Sequence, residues 1–151
     1  MCWIGENIER IAEEDIPCFK IMKVYNWNND DVVYSVYKNM AYRMGQVYEL
    51  GKKLDCTVLS SEKYSYINEG FHSYHPDVKF EKTIIDTEEL IAAYPRFGLG
   101  KGIYLDAFNI DWRVYCLVEC VIPKESVYYL NGKGEYVSNT IKPIRITEKY
   151  F

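Results

Sequence analysis

The run from Trp112 to Pro123 is the feature that most constrains the fold, because it alternates while staying largely apolar on both faces. One face would carry Trp112, Val114, Cys116, Val118, Cys120 and Ile122, and the other Arg113, Tyr115, Leu117, Glu119 and Val121. Successive residues of a strand point to opposite sides of its sheet, so this strand needs cover on both sides. The pattern predicts a long central strand.

Other β-branched and aromatic runs predict strands at 16–24, 32–38, 44–50, 64–74 and 144–147. An Asn/Asp-rich turn at 26–31 would join the first two runs as a hairpin. Residues 126–130 and 135–141 flank Asn-Gly-Lys-Gly, which predicts a second hairpin with an Asn-Gly turn. Gly70 interrupts the run at 64–74, and it indicates a bulge or a close approach of the backbone to another group, such as a ligand.

One segment, 86–94, has a helical signature. Asp86 is an N-cap residue with Glu89 three positions on, which is the capping-box pattern, and the helix should end near Pro95 to Gly98. With 151 residues the chain has the size of one domain. The sequence therefore predicts an α+β fold, with a single domain at 1–151 of mostly antiparallel sheet and one or two helices.

Composition excludes some partners. The 18 Lys and Arg residues face 22 Asp and Glu residues, for a net charge of -4, whereas a binder of extended nucleic acid needs a clustered basic surface. No apolar run approaches the roughly 20 residues that span a bilayer. The segment 1–6 lacks the basic start and apolar stretch of a signal peptide. We therefore expect a cytoplasmic protein with no membrane partner.

The five cysteines are an odd number, and we expect them to be reduced in the cytoplasm. Cys116 and Cys120 would point the same way on a strand but lie roughly 13 Å apart, at about 3.3 Å per residue. That spacing favours buried thiols over a metal site. The same interpretation applies to Cys2, Cys18 and Cys56, which stand singly in the sequence.

The glycine-rich run 98–102 does not fit the pattern of a phosphate-binding loop. Such a loop needs G-x4-G-K-[ST] between a strand and a helix, whereas Lys101 is followed by Gly102 and the run follows a predicted helix. The pattern favours a glycine helix stop followed by a flexible loop.

Both histidines, His72 and His75, lie within four positions. Gly70 and Pro76 disfavour a helix here, and on a strand the odd spacing sends the two rings to opposite faces, so a shared metal is not expected. Ser73 would face away from His72, which disfavours a nucleophile and base pair. Two interpretations stay open: local hydrogen bonding and solvation of these rings, or a ligand pocket.

Aromatic content favours a binding surface. The chain has 15 Tyr and 3 Trp residues, and such rings often sit half-exposed, with one apolar and one wet end. Rings stack on nucleobases, while cations neutralise phosphates. The cations available for this are Arg43, Arg96, Lys101 and Arg113. The same rings suit a protein interface equally well.

Three blocks of the chain carry a resemblance: the tail at 121–129 and 134–141, with the pattern IPKxxxYY…GEYVSNxI, the N-terminal 16–20, and 70–72. They resemble a group of small uncharacterised proteins of phages and gut bacteria. The resemblance implies a mobile-element or phage accessory protein, a class in which antagonists of host defence are frequent, acting in the host cytoplasm. It brings no catalytic residues.

A second similarity runs to the ADP-ribosyltransferase-like sheet. It would place NAD against His72, Tyr74 and either Glu119 or Glu135. The chain departs from that pattern, because His72 follows at least three predicted strands and no loop clearly presents a glutamate.

The leading hypothesis is a binding protein without chemistry or cofactor, a homo-oligomer that captures a small nucleotide-like ligand such as a host immune signal. The ligand-binding residues would be Phe71, His72, Tyr74, Arg43, Arg96, Lys101, Ser138 and Asn139. An NAD-using transferase and a protein-interaction module that inhibits a host defence enzyme are the alternatives.

Overall fold

The structure, a computed structural model, describes residues 3–25, 32–35, 40–59, 63–78 and 113–150. These residues form β1 (Trp3–Glu6), β2 (Arg10–Ile11), β3 (Ile16–Tyr25), β4 (Val32–Ser35), β5 (Ala41–Arg43), β6 (Tyr48–Glu49), β7 (Cys56–Val58), β8 (Tyr64–Ile67), β9 (Phe71–Tyr74), β10 (Arg113–Ile122), β11 (Val127–Leu130), β12 (Glu135–Ser138) and β13 (Thr140–Tyr150). All their pairings are antiparallel.

The α+β prediction is wrong, because the described part of the chain is all-β. The prediction depended on one capping-box signature, at 86–94, which lies outside the described residues together with the glycine-rich run 98–102. In the described ranges, the β-branched and aromatic runs pair with neighbours in a sheet. Across the described ranges no helix is long and apolar enough to cross a membrane.

The predicted central strand is confirmed as β10. It pairs along its whole length with β3, from Arg113 opposite Tyr25 to Ile122 opposite Ile16, and on its other side with β13. The order of the large sheet is β2-β11-β12-β9-β3-β10-β13-β6, and β4 and β5 extend from β3. The hairpin predicted between β3 and β4 is also confirmed, with Met22 opposite Ser35, while its turn at 26–31 lies outside the described residues.

The main core lies on one face of this sheet. Cys116, Val118, Cys120 and Ile122 alternate along β10 and are fully buried there, as the sequence predicted for the two thiols. Side chains from distant points of the strand order join the same cluster: Tyr42, Phe71, Tyr136 and Ile141. Because these strands meet around one core, the sheet must curve. Each large apolar side chain buried in this way contributes roughly 1.5–3 kcal/mol.

A second, smaller core lies on the opposite face of β12, under the three-stranded sheet β1-β8-β7. Trp3 anchors that sheet, since its ring is 5.6 Å from the ring of Tyr129 and its Nε1 donates to the carbonyl of Glu135 at 2.7 Å. Tyr136 belongs to the main core and Val137 to the smaller one. Strand β12 is therefore buried on both sides, between two layers.

Gly70 marks a change of sheet. The run predicted as one strand at 64–74 divides into β8, in the small sheet, and β9, in the large one. Between them Gly70 has a φ of 147°, and a Cβ there would lie 2.6 Å from Cγ2 of Val137 and 2.9 Å from Cδ2 of Leu54. The close approach indicated by the sequence is thus to the protein's own core.

The hairpin of β11 and β12 is confirmed, with a different turn from the one predicted. The left-handed residue is Gly134, at φ 77°, and its N–H donates to the carbonyl of Asn131 at 3.1 Å. The side chain of Asn131 holds the loop, since Oδ1 accepts from the N–H groups of Lys133 and Glu135, each at 3.0 Å.

Two other predicted strands are shorter than expected. Of residues 44–50 only β6 is a strand, and a turn precedes it. The strand predicted at 135–141 ends at Ser138, because Asn139 separates β12 from β13.

Candidate functional site

The structure brings two of the predicted ligand residues together. Phe71 and Ser138 lie directly opposite each other on β9 and β12, and Oγ of Ser138 donates to the carbonyl of Phe71 at 3.5 Å. The strand pairing assumed for this prediction is therefore confirmed. Both side chains are buried, with Phe71 in the main core. In the described part of the chain, these two side chains contribute to core packing and to the pairing of β9 with β12.

His72 lies where two strands part. Strand β3 pairs with β9 at Phe19 and Tyr74 only, and further along it pairs with β4 instead. At this fork the ammonium group of Lys20 donates to the backbone carbonyl of His72. Burial lowers the pKa of the Lys20 ammonium group, against the opposing effect of the nearby thiols of Cys120 and Cys18. The His72 backbone thus belongs to the architecture of the sheet.

His75 bonds within its own turn. Its Nδ1 accepts from the N–H of Asp77 at 3.0 Å, and its ring stacks on Tyr136 with the centroids 6.0 Å apart. This arrangement fits the local-bonding interpretation for His75. Within the described ranges, no group of three or more His, Cys, Asp or Glu residues is arranged to hold a metal ion.

Of the four predicted cations, Arg43 is the one whose side chain the structure describes. Arg43 is exposed on β5, and its backbone N–H donates to the hydroxyl of Tyr48 at 2.6 Å. The side chain of the neighbouring Tyr42 lies in the main core. Arg96 and Lys101 lie outside the described residues. Tyr74 is half-buried opposite Glu135.

A groove of about 450 Å³ lies elsewhere, where β6, the turn between β10 and β11, and the start of β13 meet. In the described part of the chain it is lined by Val47, Glu49, Gly51, Lys52, Pro123, Lys124, Glu125, Ser126, Asn139 and Thr140. Asn139 is the predicted ligand residue that lines this groove. The volume falls within the roughly 300–1,000 Å³ of small-molecule sites.

Asn139 holds three strands in position at the groove. Its N–H donates to the carbonyl of Val127 at 3.1 Å, and its own carbonyl accepts from the N–H of Leu50 at 2.8 Å. Its Oδ1 accepts from the N–H of Val127 at 3.0 Å and from the hydroxyl of Thr140 at 3.1 Å. No group within the described ranges accepts a hydrogen bond from its Nδ2. That amide can therefore donate to a ligand.

The turn on the other side of the groove is strained. Glu125 has a φ of 75°, and it is the one non-glycine residue with a positive φ in the described part of the chain. Hydrogen bonds hold it there, since its N–H donates to the carbonyl of Ala12 at 2.8 Å and the N–H of Ser126 to the carbonyl of Pro123 at 3.1 Å. Such backbone costs about 1–3 kcal/mol and is most often found at functional sites.

The groove is charged and balanced. Lys124 is exposed, with its backbone N–H held by Asp15 at 2.9 Å, and Lys52 is ion-paired with Glu69. Glu49 and Glu125 supply the opposite charge. Ammonium groups, hydroxyls and an amide together can bind the phosphate, sugar and base edge of a nucleotide. No aromatic ring is among the lining residues that the structure describes.

Sequence reasoning missed most of this groove. Its lining comes from 47–52, 123–126 and 139–140, segments that only the β6, β10 and β13 pairings bring together. One signal was available, because Lys124 to Ser126 fall within the tail block and in a turn, where binding residues concentrate.

The residues of the transferase alternative are engaged in the sheet. Oε2 of Glu119 accepts from Nε of Arg145 at 2.6 Å, and Oε1 of Glu135 accepts from Nδ2 of Asn131 at 3.1 Å. Comparison with known proteins adds no relative: no family model, curated protein or solved structure matches the chain.

Proposed function

We propose that this protein is a non-catalytic binding protein that captures a small, anionic, nucleotide-like ligand in the groove between β6 and the turn at 123–126. The observation that carries the proposal is the groove itself, which has the volume of a small-molecule site and is lined by Lys52, Lys124 and Asn139. Lys52 and Lys124 would bind phosphate oxygens, and Asn139 a base or sugar edge.

Lys52 can change partners at little cost. Its ion pair with Glu69 is exposed, since the two side chains are 57% and 46% accessible. Exposed ion pairs contribute only about 0–1 kcal/mol, so losing this pair would cost a bound phosphate little. A phosphate group would therefore compete well with Glu69 for this ammonium group.

The carboxylates of the groove would limit which anions bind. Glu49 and Glu125 lie among the lining residues and would repel a ligand with a high density of charge. A ligand whose phosphate lies near the lysines and whose neutral base lies near Asn139 would avoid that repulsion. Cyclic nucleotides and ADP-ribose derivatives meet this condition.

The resemblance of the tail block to small proteins of phages and gut bacteria supports a biological setting for this binding. In that setting the chain is a phage-type accessory protein that sequesters a host signal nucleotide in the host cytoplasm. We further propose a homo-oligomer, since ligand sites often form where folded units meet.

Isothermal titration calorimetry with linear and cyclic nucleotides and ADP-ribose derivatives tests the proposal. We expect at least one compound to bind the wild type and Lys124→Glu to weaken its affinity about tenfold or more, because a cation is replaced by a repelling anion. Lys133→Glu, on the exposed hairpin loop, is the matched control and should bind normally.

The proposal would be refuted if no compound of the panel gave a heat change, or if Lys124→Glu and Lys133→Glu lowered the affinity equally. Incubation of the wild type with NAD gives a separate readout. Release of nicotinamide would replace capture by the transferase alternative.

A further inference from the structure

Three isoleucines stand exposed near the N-terminus. Ile4, Ile8 and Ile11 are 56%, 46% and 64% accessible, and they fall within eight consecutive positions of a segment, Ile4–Asp15, that we call the N-terminal edge. Single exposed apolar residues are ordinary on protein surfaces, whereas a group of them marks an interaction site. The three belong to a short segment that joins the small sheet to the large one.

The fold holds these side chains outward. Trp3 and Ala12, which flank the three isoleucines in sequence, are buried, and the N–H of Ala12 donates to the carbonyl of Ser126 at 2.9 Å. In between, Ile11 pairs with Val127 as part of β2. Strand β2 is the last strand of the large sheet, so in the described ranges its second edge has no neighbouring strand. Among the described residues, the outer edge of β2 is therefore available for pairing.

The N-terminal edge is also rich in acidic residues. Its five acidic residues are all exposed: Glu6, Glu9, Glu13, Glu14 and Asp15. With Arg10 as the single cation, the segment has a net charge of -4, which equals that of the whole chain. The remaining residues are thus neutral on balance. Exposed isoleucines beside this concentrated negative charge define what can bind here.

We infer that the N-terminal edge is a docking surface for a basic, extended segment of a partner protein, which adds to the free edge of β2. Backbone groups of β2 would pair with the added strand, Ile8 and Ile11 would be covered by its apolar side chains, and its Lys or Arg side chains would face the acidic residues. The inference does not depend on the proposed function, since none of these residues lines the groove.

Charge selects this occupant over others. Nucleic acid and anionic lipid surfaces would be repelled by a segment of net charge -4. A second copy paired through the same edge would place two such segments against each other, which costs association energy. A basic protein segment with apolar residues on one face meets both the charge and the isoleucines.

Fluorescence anisotropy with three labelled synthetic peptides tests the inference. The first alternates Lys with Val, the second Glu with Val, and the third Lys with Gly. We expect the Lys-Val peptide to bind the full-length protein, more weakly at high salt, while the Glu-Val peptide does not bind. The Lys-Gly peptide should bind about tenfold more weakly, because it cannot cover the isoleucines.

Variants locate the binding. Ile8→Ser and Ile11→Ser should each weaken the Lys-Val peptide about tenfold, whereas Ile144→Ser, at an exposed isoleucine of β13, is the matched control and should not. Glu13→Lys combined with Glu14→Lys should weaken it with the isoleucines intact. Circular dichroism would verify that each variant keeps its sheet content.

Several results would overturn the inference. They are absence of Lys-Val binding, equal affinity for the Lys-Gly peptide, equal effects of Ile11→Ser and Ile144→Ser, and a dimer in sedimentation that Ile11→Ser dissociates. Nucleotide titrations of the same variants separate this surface from the groove, because Ile11→Ser should leave any nucleotide affinity unchanged.

Discussion

Gly70→Ala is the sharpest test of how the two layers fit together. Gly70 lies between β8 and β9 at a φ of 147°, and an added Cβ would meet Val137 at 2.6 Å and Leu54 at 2.9 Å. Real Cβ atoms essentially never approach a neighbour so closely. Val137 is fully buried on a strand covered from both sides, so it cannot move away freely.

The expected cost has two parts. Backbone strain at such a φ is about 1–3 kcal/mol for a residue with a side chain. Overpacking in a closed core adds typically 1–3 kcal/mol. We expect Gly70→Ala to lower the free energy of unfolding by about 3–4 kcal/mol, which for a chain of this size corresponds to roughly 10 °C in Tm.

Controls at other glycines separate the two parts. Gly45 has a φ of 80° with nothing within 4 Å of an added Cβ, so Gly45→Ala measures strain alone. Gly132 has open space and no positive φ, so Gly132→Ala should be nearly neutral. Urea unfolding followed by circular dichroism gives all three values. The double variant Gly70→Ala with Val137→Ala should then lose less than the sum of its single variants, because removing the Val137 methyl groups relieves the contact.

Two results would refute this reasoning. If Gly70→Ala costs no more than Gly45→Ala, the contact with Val137 does not constrain the interface of the two layers. If the double variant is additive, the cost of the added methyl group has another source.

Three further predictions concern the small sheet, the groove and the thiols. Trp3→Phe should lower the free energy of unfolding in urea by about 2 kcal/mol, through a lost hydrogen bond to Glu135 and a smaller ring, and no loss would contradict the anchoring role of Trp3. Glu125→Gly should raise the free energy of unfolding in urea by about 0.5 kcal/mol, because the relief of backbone strain at a positive φ exceeds the cost of the greater conformational freedom that glycine has in the unfolded chain. An unchanged or lower free energy of unfolding would argue against strain at Glu125. Burial raises the pKa of the Cys18 thiol to about 11 and raises that of Cys120 as well, so unfolding releases protons above pH 9.0 and stability should fall there. Between about pH 9 and 10 each thiol lowers the free energy of unfolding by up to about 1.4 kcal/mol per pH unit. Cys120→Ala should therefore make the fall of the urea midpoint with pH shallower than in the wild type. The lowered pKa of Lys20 acts in the opposite direction, but Lys20 is present in both proteins.

The sequence predicted the strands that carry the core, for a physical reason. Strand β10 is apolar on both faces, and only a central strand can use such a pattern. The hairpin of β11 and β12 was recognisable because turn residues separate two β-branched runs. Signals of this kind are local, and they survive in the folded protein because neighbouring strands pair.

Tertiary pairing decides what local patterns leave open. The glycine inside the run at 64–74 predicted either a bulge or a close approach of the backbone, and the structure places Gly70 in close approach to Val137, where the chain passes from one sheet to the other. Lys20 shows the same limit, because alternation places it on the inner face with Cys18 and Met22, where a lysine is not expected. The backbone carbonyl of His72, at the fork between β3, β4 and β9, accepts a hydrogen bond from the Lys20 ammonium group, which explains why a lysine lies there.

The predicted ligand site and the observed groove meet at two consecutive residues, Ser138 and Asn139. Ser138 ends the strand with its side chain buried opposite Phe71, and Asn139 leaves the strand to line the groove. The sequence identified both as small polar groups next to the His72 segment, but it could not tell which face each would take. That choice depends on the bond from the Val127 N–H to Oδ1 of Asn139, which joins residues 12 positions apart and ends β12. Asn139 therefore connects the core to the groove, and a ligand that binds its amide would act directly on the residue that joins β11, β12 and β13.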